Sequence, residues 1–559
     1  MAGNAHGNRD GCARSGDREW TVMTGRVLGW GVLALGLAIV PAQAEYSLTI
    51  LHINDLHSRL EPINKYDSTC SPEDDAKGEC FGGVARIKAK IDERRAALAE
   101  AGRNVITLDA GDQFQGSLFY TTYKGAAAAE FMNAIGFDAM AVGNHEFDDG
   151  PEGLAAFLDK VDVPVLSGNI DVENEPALKG KVSGTLVLTV GEQRIGLVST
   201  LAEDTVETSS PGPNVPFFSA ENYLKGAVEG LQAAGVTKIV AVTHMGLPRD
   251  MQIASRVPGI DVIVGGHSHT LLSNTDDKAA GPYPVLVQNP VGQQVPIVQA
   301  YAYGKFLGEI EVVFDDDGNV VSANGNPVLL DASVAADKAV AARVAELGEP
   351  LEALKAKVIG DTKTVIDGSR DSCRSGECPM GNLVAEAMLD RVRAQGIDIA
   401  IQNGGGLRAS IEAGEVTMGE VLAVLPFQNT LATFQLKGSD VIAALENGVS
   451  QAEEGAGRFP QVAGLRFSWT RARPAGDGRI IKAEVFQDGT WMALDPDKTY
   501  GVVSNNYMRG GGDGYRVFAD AGMNAYDYGP GLEEVVADYI SDVQGGYDAF
   551  TDGRIREIE

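Results

Sequence analysis

Basic residues are scarce in this chain: Lys and Arg number 46 against 77 Asp and Glu in 559 residues, a formal net charge of −31. That deficit argues against nonspecific nucleic-acid binding, which depends on cationic contacts to phosphates. It leaves a small anionic substrate open, because a few local arginines can reverse the field at one site. Cysteine is scarcer still, with five in all. Long apolar runs are nearly absent, which argues against an integral membrane protein. Internal repeats and low-complexity tracts are missing too. Histidine is rare and unevenly placed: His6, His52, His57, His145, His244, His267 and His269 are the full set, and none follows residue 269.

The one extended apolar run, "VLGWGVLALGLAIV", follows Arg26 and is short for a bilayer span. "AQA" then supplies the small–x–small pattern of a cleavage site after Ala44. Residues 1–44 therefore read as an export signal, with translation starting at Met1 or Met23. The mature protein is expected in the periplasm or outside the cell, free of the membrane. Cys12 would leave with the signal. The remaining four cysteines form two close pairs, Cys70 with Cys80 and Cys373 with Cys378. An even count in an exported chain points to two disulfides. Zinc binding is the weaker alternative, because neither pair has CxxC spacing.

At this length more than one domain is expected. From Tyr46 to about Asp331, short β-branched runs alternate with helical stretches. "YSLTILHIND", "VITLDAGD", "AMAVGNH", "VPVLSGN", "KIVAVTH" and "DVIVGGH" are buried-strand candidates, and "VARIKAKIDERRAALAEAG" is an amphipathic helix closing on Gly102. This alternation predicts a layered α/β domain over residues 45–334. Residues 335–360 read as a helical linker broken by Pro350. Residues 361–559 carry their own strand signals, "DIAIQN", "LATFQL" and "TYGVVSN", and form a second α/β domain.

Five of the strand candidates end on possible metal ligands: Asp55 and His57, Asp112, Asn144 and His145, His244, and His267 with His269. Carboxyl ends of strands in an open α/β sheet converge on one crevice, so residues scattered in sequence can meet there. Imidazoles, carboxylates and an amide oxygen suit two borderline divalent ions. A lone histidine at a strand end is more often structural, and His52, inside the first strand, reads that way. The joint order carries the argument.

That order, Asp-x-His, Gly-Asp, Gly-Asn-His-Glu, His, Gly-His-x-His, resembles the calcineurin-like metallophosphoesterases. "ILHINDLHSRLEP", "GNHEFDDG" and "VGGHSHT" are similar to the 5′-nucleotidase branch, which includes bacterial periplasmic UDP-sugar hydrolases and animal ecto-5′-nucleotidases. The resemblance spans nearly the whole mature chain. It implies a four-layer α/β/β/α metallophosphoesterase domain, a linker helix about which the second domain rotates, and a C-terminal substrate-binding domain. It further implies that Asp55, His57, Asp112 and His269 hold one divalent ion and Asp112, Asn144, His244 and His267 the other. Zinc is the expected metal, with manganese or cobalt as alternatives, and the nucleophile would be a hydroxide activated by them. His145 and Asp148 match the family's catalytic dyad.

In the second half, "IQNGGGLRASI" places three glycines between Asn403 and Arg408, and "SRDSCRSGEC" brings in Arg370 and Arg374. Guanidinium forks suit phosphate oxygens. By resemblance, Phe427 and Tyr507 sandwich a nucleobase, Asp513 takes the ribose hydroxyls, Asn403 touches the base and the three arginines clamp phosphate. At position 507 a ring alone is expected to suffice. The reading is an exported hydrolase of nucleoside 5′-monophosphates. Rivals are a hydrolase of diphosphate bonds in UDP-sugars, NAD or nucleoside di- and triphosphates, a thiosulfohydrolase, and a nonenzymatic nucleotide or zinc scavenger.

Overall fold

The computed structural model describes residues 45–558 apart from positions 66, 68, 428, 488 and 528 and the side chain at 207. The expected export segment lies outside the described residues. Two sheets face each other in the N-terminal half. The first runs, in spatial order, through Val320–Gly325, Phe306–Phe314, Tyr46–Ile53, Asn104–Asp109, Ala139–Ala141 and Val165–Leu166. The second runs through Thr185–Val190, Gln193–Leu201, Lys238–His244, Val262–Gly265, Gln294–Val298 and Val285–Gln288. Leu48, Ile50 and Ile106 of the first sheet share one apolar core with Leu197, Val240 and Val264 of the second. Helices Val84–Glu100 and Gly125–Ile135 cover the outer face of the first sheet, and Ala220–Ala233 and Leu247–Arg256 that of the second. The result is the four-layer α/β/β/α arrangement.

The local reasons are plain. The central strands are apolar on both faces because both faces are covered. Val84, Ile87, Ile91 and Leu98 fall on one stripe of their helix and are buried. That helix stops where Gly102 adopts a left-handed φ of 66°, as expected of the glycine there. His52 is fully buried and its Nε2 meets the Tyr283 hydroxyl at 2.8 Å, so it is a core residue.

The linker helix spans Lys338–Lys355, with the Asp337 carboxylate accepting from Val340 N at its start. It runs through Pro350 without breaking, contrary to the sequence expectation. Val344 and Leu351 bury against the N-terminal core, and the Tyr123 hydroxyl donates to Leu347 O at 2.8 Å, so tertiary contacts hold both sides of the proline. Strand Val358–Thr362 follows at once and pairs with Gly414–Thr417, three residues ahead of the expected start of the second domain at residue 361.

The C-terminal half is built on a five-stranded sheet in the order Pro460–Ala463, Ile399–Asn403, Thr499–Asn505, Leu431–Lys437 and Met523–Tyr526. Helices Pro379–Val392 and Leu532–Asp542 pack on one face, and helix Gly438–Gly448 with a second, four-stranded sheet packs on the other. No described helix is long and apolar enough to cross a membrane.

Candidate active site

Strands Tyr46–Ile53, Asn104–Asp109 and Ala139–Ala141 run parallel, as do Lys238–His244 and Val262–Gly265. Their carboxyl ends open on one crevice, and the histidine-bearing loops leave from there. Two glycines let these loops approach. A Cβ on Gly266 would lie 2.8 Å from Ala110 O and 2.9 Å from His244 Nδ1, and one on Gly143 would collide with the Asp112 carboxylate. The loops then turn sharply. Asp55, His57, Asp112, His267 and His269 all have φ between 50° and 71°. Side chains rarely adopt this left-handed conformation, and strain of that kind concentrates at functional sites.

All seven candidate ligands converge. His269 Nε2 lies 3.2 Å from Asp55 Oδ1 and 3.0 Å from His57 Nε2. His57 Nε2 is 3.6 Å from Asp112 Oδ2, and His244 Nε2 is 3.1 Å from the same oxygen. His267 Nδ1 faces Asn144 Oδ1 at 2.9 Å. Three groups of possible ligand atoms result: Asp55 with His57 and His269, Asp112 with His244 and His267, and, between them, Asp112 with His57 and His145.

The donor chemistry fits divalent cations. His57 Nδ1 donates to Phe114 O at 3.0 Å and His244 Nδ1 to Ala110 O at 2.6 Å, so in each ring Nε2 is the nitrogen turned inward. His244 Nε2 is buried and faces Asp112 Oδ2 at 3.1 Å without the alignment of a hydrogen bond. Burial first, then neighbouring cations, holds His57, His267 and His269 well below the usual histidine pKa, in the neutral form that ligates metal. His244 goes the other way: burial opposes its cation, but Asp112 and then Asp55 beside it raise its pKa to about 10, a pairing that a bound cation between them would replace. Beneath the cluster, buried Glu146 accepts from the backbone N–H groups of Asp112, Gln113 and Gly143 and fixes the loop carrying Asp112.

His145 lies against the cluster, with a ring nitrogen within 4.8 Å of ligand atoms of His57 and Asp112. Its backbone N–H donates to Asp112 Oδ1 at 3.0 Å, while its Nδ1 meets Asp148 Oδ2 at 2.7 Å. Burial opposes its cation, yet Asp148 and then Asp112 more than offset this, so its pKa is raised. Asp148 closes the short turn His145–Phe147 through its backbone and does not N-cap the helix that follows. Helix Gly150–Leu158 starts from Asp149, whose side chain makes no capping bond.

A cavity of about 670 Å³ extends from this cluster to the C-terminal half, and Arg370, Arg374, Asn403, Arg408, Phe427, Tyr507 and Asp513 all line it. Arg408 Nη2 reaches His57 Nε2 at 3.0 Å. The Phe427 ring stacks on His145, with centroids 5.6 Å apart, and lies under the Arg408 guanidinium at 5.5 Å. Arg374 is buried, its Nε has no hydrogen-bond partner, and burial followed by Arg370 and Arg408 pushes its pKa well down. Three guanidiniums crowded this way favour an anion with several oxygens. The Cys373–Cys378 bond closes the turn that holds Arg374, and the Cys70–Cys80 bond is also formed. Asp513 accepts from Asn403 Nδ2 at 2.7 Å and from the Tyr507 hydroxyl at 3.2 Å. The Tyr507 hydroxyl also accepts from Asp513 N at 3.1 Å. The phenol is therefore in use, which the expectation of a ring alone at this position missed.

Residues 48–271 match the family model for calcineurin-like phosphoesterases, and residues 358–520 match the model for the 5′-nucleotidase C-terminal domain. A 5′-nucleotidase of Bos taurus is 40% identical over 546 residues, covering 94% of this chain and 93% of the relative. The chain belongs to the 5′-nucleotidase family of metallophosphoesterases. As a member it is a hydrolase of phosphoric monoesters. A solved 5′-nucleotidase precursor from Thermus thermophilus is 41% identical, with a TM-score of 0.86, covering 92% of this chain and 99% of that one. A solved NAD nucleotidase from Haemophilus influenzae is 27% identical, with a TM-score of 0.56, covering 92% and 99%.

Within this 5′-nucleotidase fold, sequence reasoning passed over Glu146 and Ser209. Glu146 stands in the "GNHE" motif itself, so its place beside Asn144 was the available signal. Ser209 had none, because it reaches Asp148 across 61 residues of sequence.

Proposed function

We propose that the chain releases phosphate from nucleoside 5′-monophosphates at a site holding two divalent ions. The observation that carries this reading is a single cavity in which the Asp112 cluster and His145 face three arginines, two aromatic rings and Asp513. Asp55, His57, Asp112 and His269 would hold one ion, and Asp112, Asn144, His244 and His267 the other. When bound, such ions neutralise phosphoryl oxygens and make a water more acidic. Zinc suits the mixed nitrogen and oxygen donors, and manganese or cobalt could replace it.

The chain's own residues do the rest. Arg370, Arg374 and Arg408 grip the phosphate and hold it in line. Phe427 and Tyr507 grip the base, Asn403 touches its edge and Asp513 takes the ribose hydroxyls. A water oxygen bonds to phosphorus as the bond to the 5′-oxygen breaks. His145, whose cation Asp148 favours, stabilises charge on the phosphoryl group or gives the departing oxygen its proton. Nucleoside and inorganic phosphate are the products. The two disulfides suit an oxidising compartment. With residues 1–44 as an export signal, the enzyme works in the periplasm or outside the cell. Residues 45–334 would form the metal-binding domain, 335–360 the linker and 361–559 the domain that delivers substrate.

Likeness to the Haemophilus NAD nucleotidase favours cleavage of diphosphate bonds as a second reading. A panel of AMP, ADP, UDP-glucose, NAD, cyclic AMP and 4-nitrophenyl phosphate, each with and without chelator, separates the two. AMP should give the highest kcat/KM and lose it with chelator. A clear preference for NAD or UDP-glucose would transfer the assignment to the second reading.

A further inference from the structure

Asp148 has two carboxylate oxygens, and only one meets His145. The other, Oδ1, accepts the Ser209 hydroxyl at 2.6 Å. Ser209 comes from elsewhere in the chain. It caps the short helix Thr205–Thr208, in extended backbone, and both it and Asp148 border the substrate cavity. That short helix packs against the turn Gly512–Gly514 of the C-terminal domain, which carries Asp513. A carboxylate held only by one imidazole can rotate about its side-chain bonds. Held at both oxygens, it fixes the imidazole in plane and keeps Nδ1 as the donor.

We propose that Ser209 is a positioning residue for the reaction: it locks Asp148, and through it His145, from a segment that rests on the Asp513 turn of the substrate-binding domain. The dyad is then fully aligned when that turn is seated. The inference depends on the role given above to His145 and Asp148. It requires no new chemistry, since the Ser209 proton stays on its own oxygen and the hydroxyl acts only as a donor.

The test is a mutant cycle read on AMP and on 4-nitrophenyl phosphate, whose leaving oxygen needs little protonation. Ser209→Ala should lower kcat for AMP about tenfold, the scale of one hydrogen bond to a charged group. KM should change little, the aryl phosphate should lose less, and Ser209→Thr, which keeps the hydroxyl, should restore most of the rate. In a His145→Ala background, Ser209→Ala should have no further effect, because residues that act as one unit are not additive. If His145→Ala retains wild-type kcat, the dyad reading fails and this inference falls with it. If His145→Ala is severe and Ser209→Ala costs tenfold again on top of it, the dyad stands and Ser209 does not work through it. An unchanged kcat in Ser209→Ala, or equal losses on both substrates with a lowered Tm and no rescue by threonine, would likewise overturn the proposal.

Discussion

Tyr507→Phe removes one oxygen and leaves the ring, so it separates stacking from hydrogen bonding. In the structure that oxygen donates to Asp513 Oδ1 at 3.2 Å and accepts from Asp513 N at 3.1 Å. Asp513 is left-handed, with φ of 53°, and these contacts help hold it there, together with Asn403 on its carboxylate and Asn447 on its carbonyl. A residue without glycine's freedom holds that conformation only when its surroundings impose it. Each lost hydrogen bond is worth about 0.5–1.5 kcal/mol net. Both together, partly relieved by Asn403, should cost roughly 1–2 kcal/mol, or about five- to thirtyfold in kcat/KM for AMP. Tyr507→Ala should add the loss of stacking, about 1–3 kcal/mol. The assay is steady-state hydrolysis of AMP beside 4-nitrophenyl phosphate, which offers neither ribose nor base, and there Tyr507→Phe should stay within about twofold of wild type. Wild-type behaviour of Tyr507→Phe on AMP would refute the reasoning and return position 507 to a ring that merely stacks. Equal losses on both substrates with a lowered Tm would make Tyr507 a packing residue.

The other predictions follow the same division of labour. His145→Ala should lower kcat by roughly 10²–10⁴, while metal analysis by mass spectrometry still finds two ions per chain; loss of an ion would reassign His145 as a ligand. Phe427→Ala should reduce kcat/KM for nucleotides more than for the aryl phosphate, and equal reductions would limit Phe427 to packing on His145. Replacing Cys373 and Cys378 together by serine should raise KM for AMP several-fold with little change in Tm, because the bond joins residues only five positions apart and closes a small loop around Arg374; an unchanged KM would detach that loop from phosphate binding.

The layered fold was legible because its strands are short apolar runs with a ligand or a glycine at one end. "VITLDAGD" and "KIVAVTH" announce both a buried parallel strand and what waits at its carboxyl edge. Eight possible ligands could be gathered from order alone, since parallel strands force their ends together, and the family resemblance set His145 apart from the other seven. The backbone at those ends was not legible. Nothing in "NDLHS" says that Asp55 and His57 turn left-handed, because that conformation is imposed by the loops around them. Pro350 misled for a related reason: propensity counts a broken helix, while Val344, Leu351 and Tyr123 supply the contacts that carry the chain through. Ser209 escaped because only the fold brings it to Asp148, 61 residues away in sequence. The Tyr507 hydroxyl meets Asp513 just six residues on, but the left-handed turn at Asp513 that allows this is not written in "NNYMRGGGDGY".

The account rests on a pair of ions at Asp112, and a metal titration tests it most directly. The chain is stripped with chelator, the chelator is removed, and phosphate release from AMP is followed as zinc or manganese is added in known equivalents. The account predicts no turnover without metal and a rise that levels off at two ions per chain. Full turnover by metal-free protein, or a plateau already reached at one ion, would contradict it.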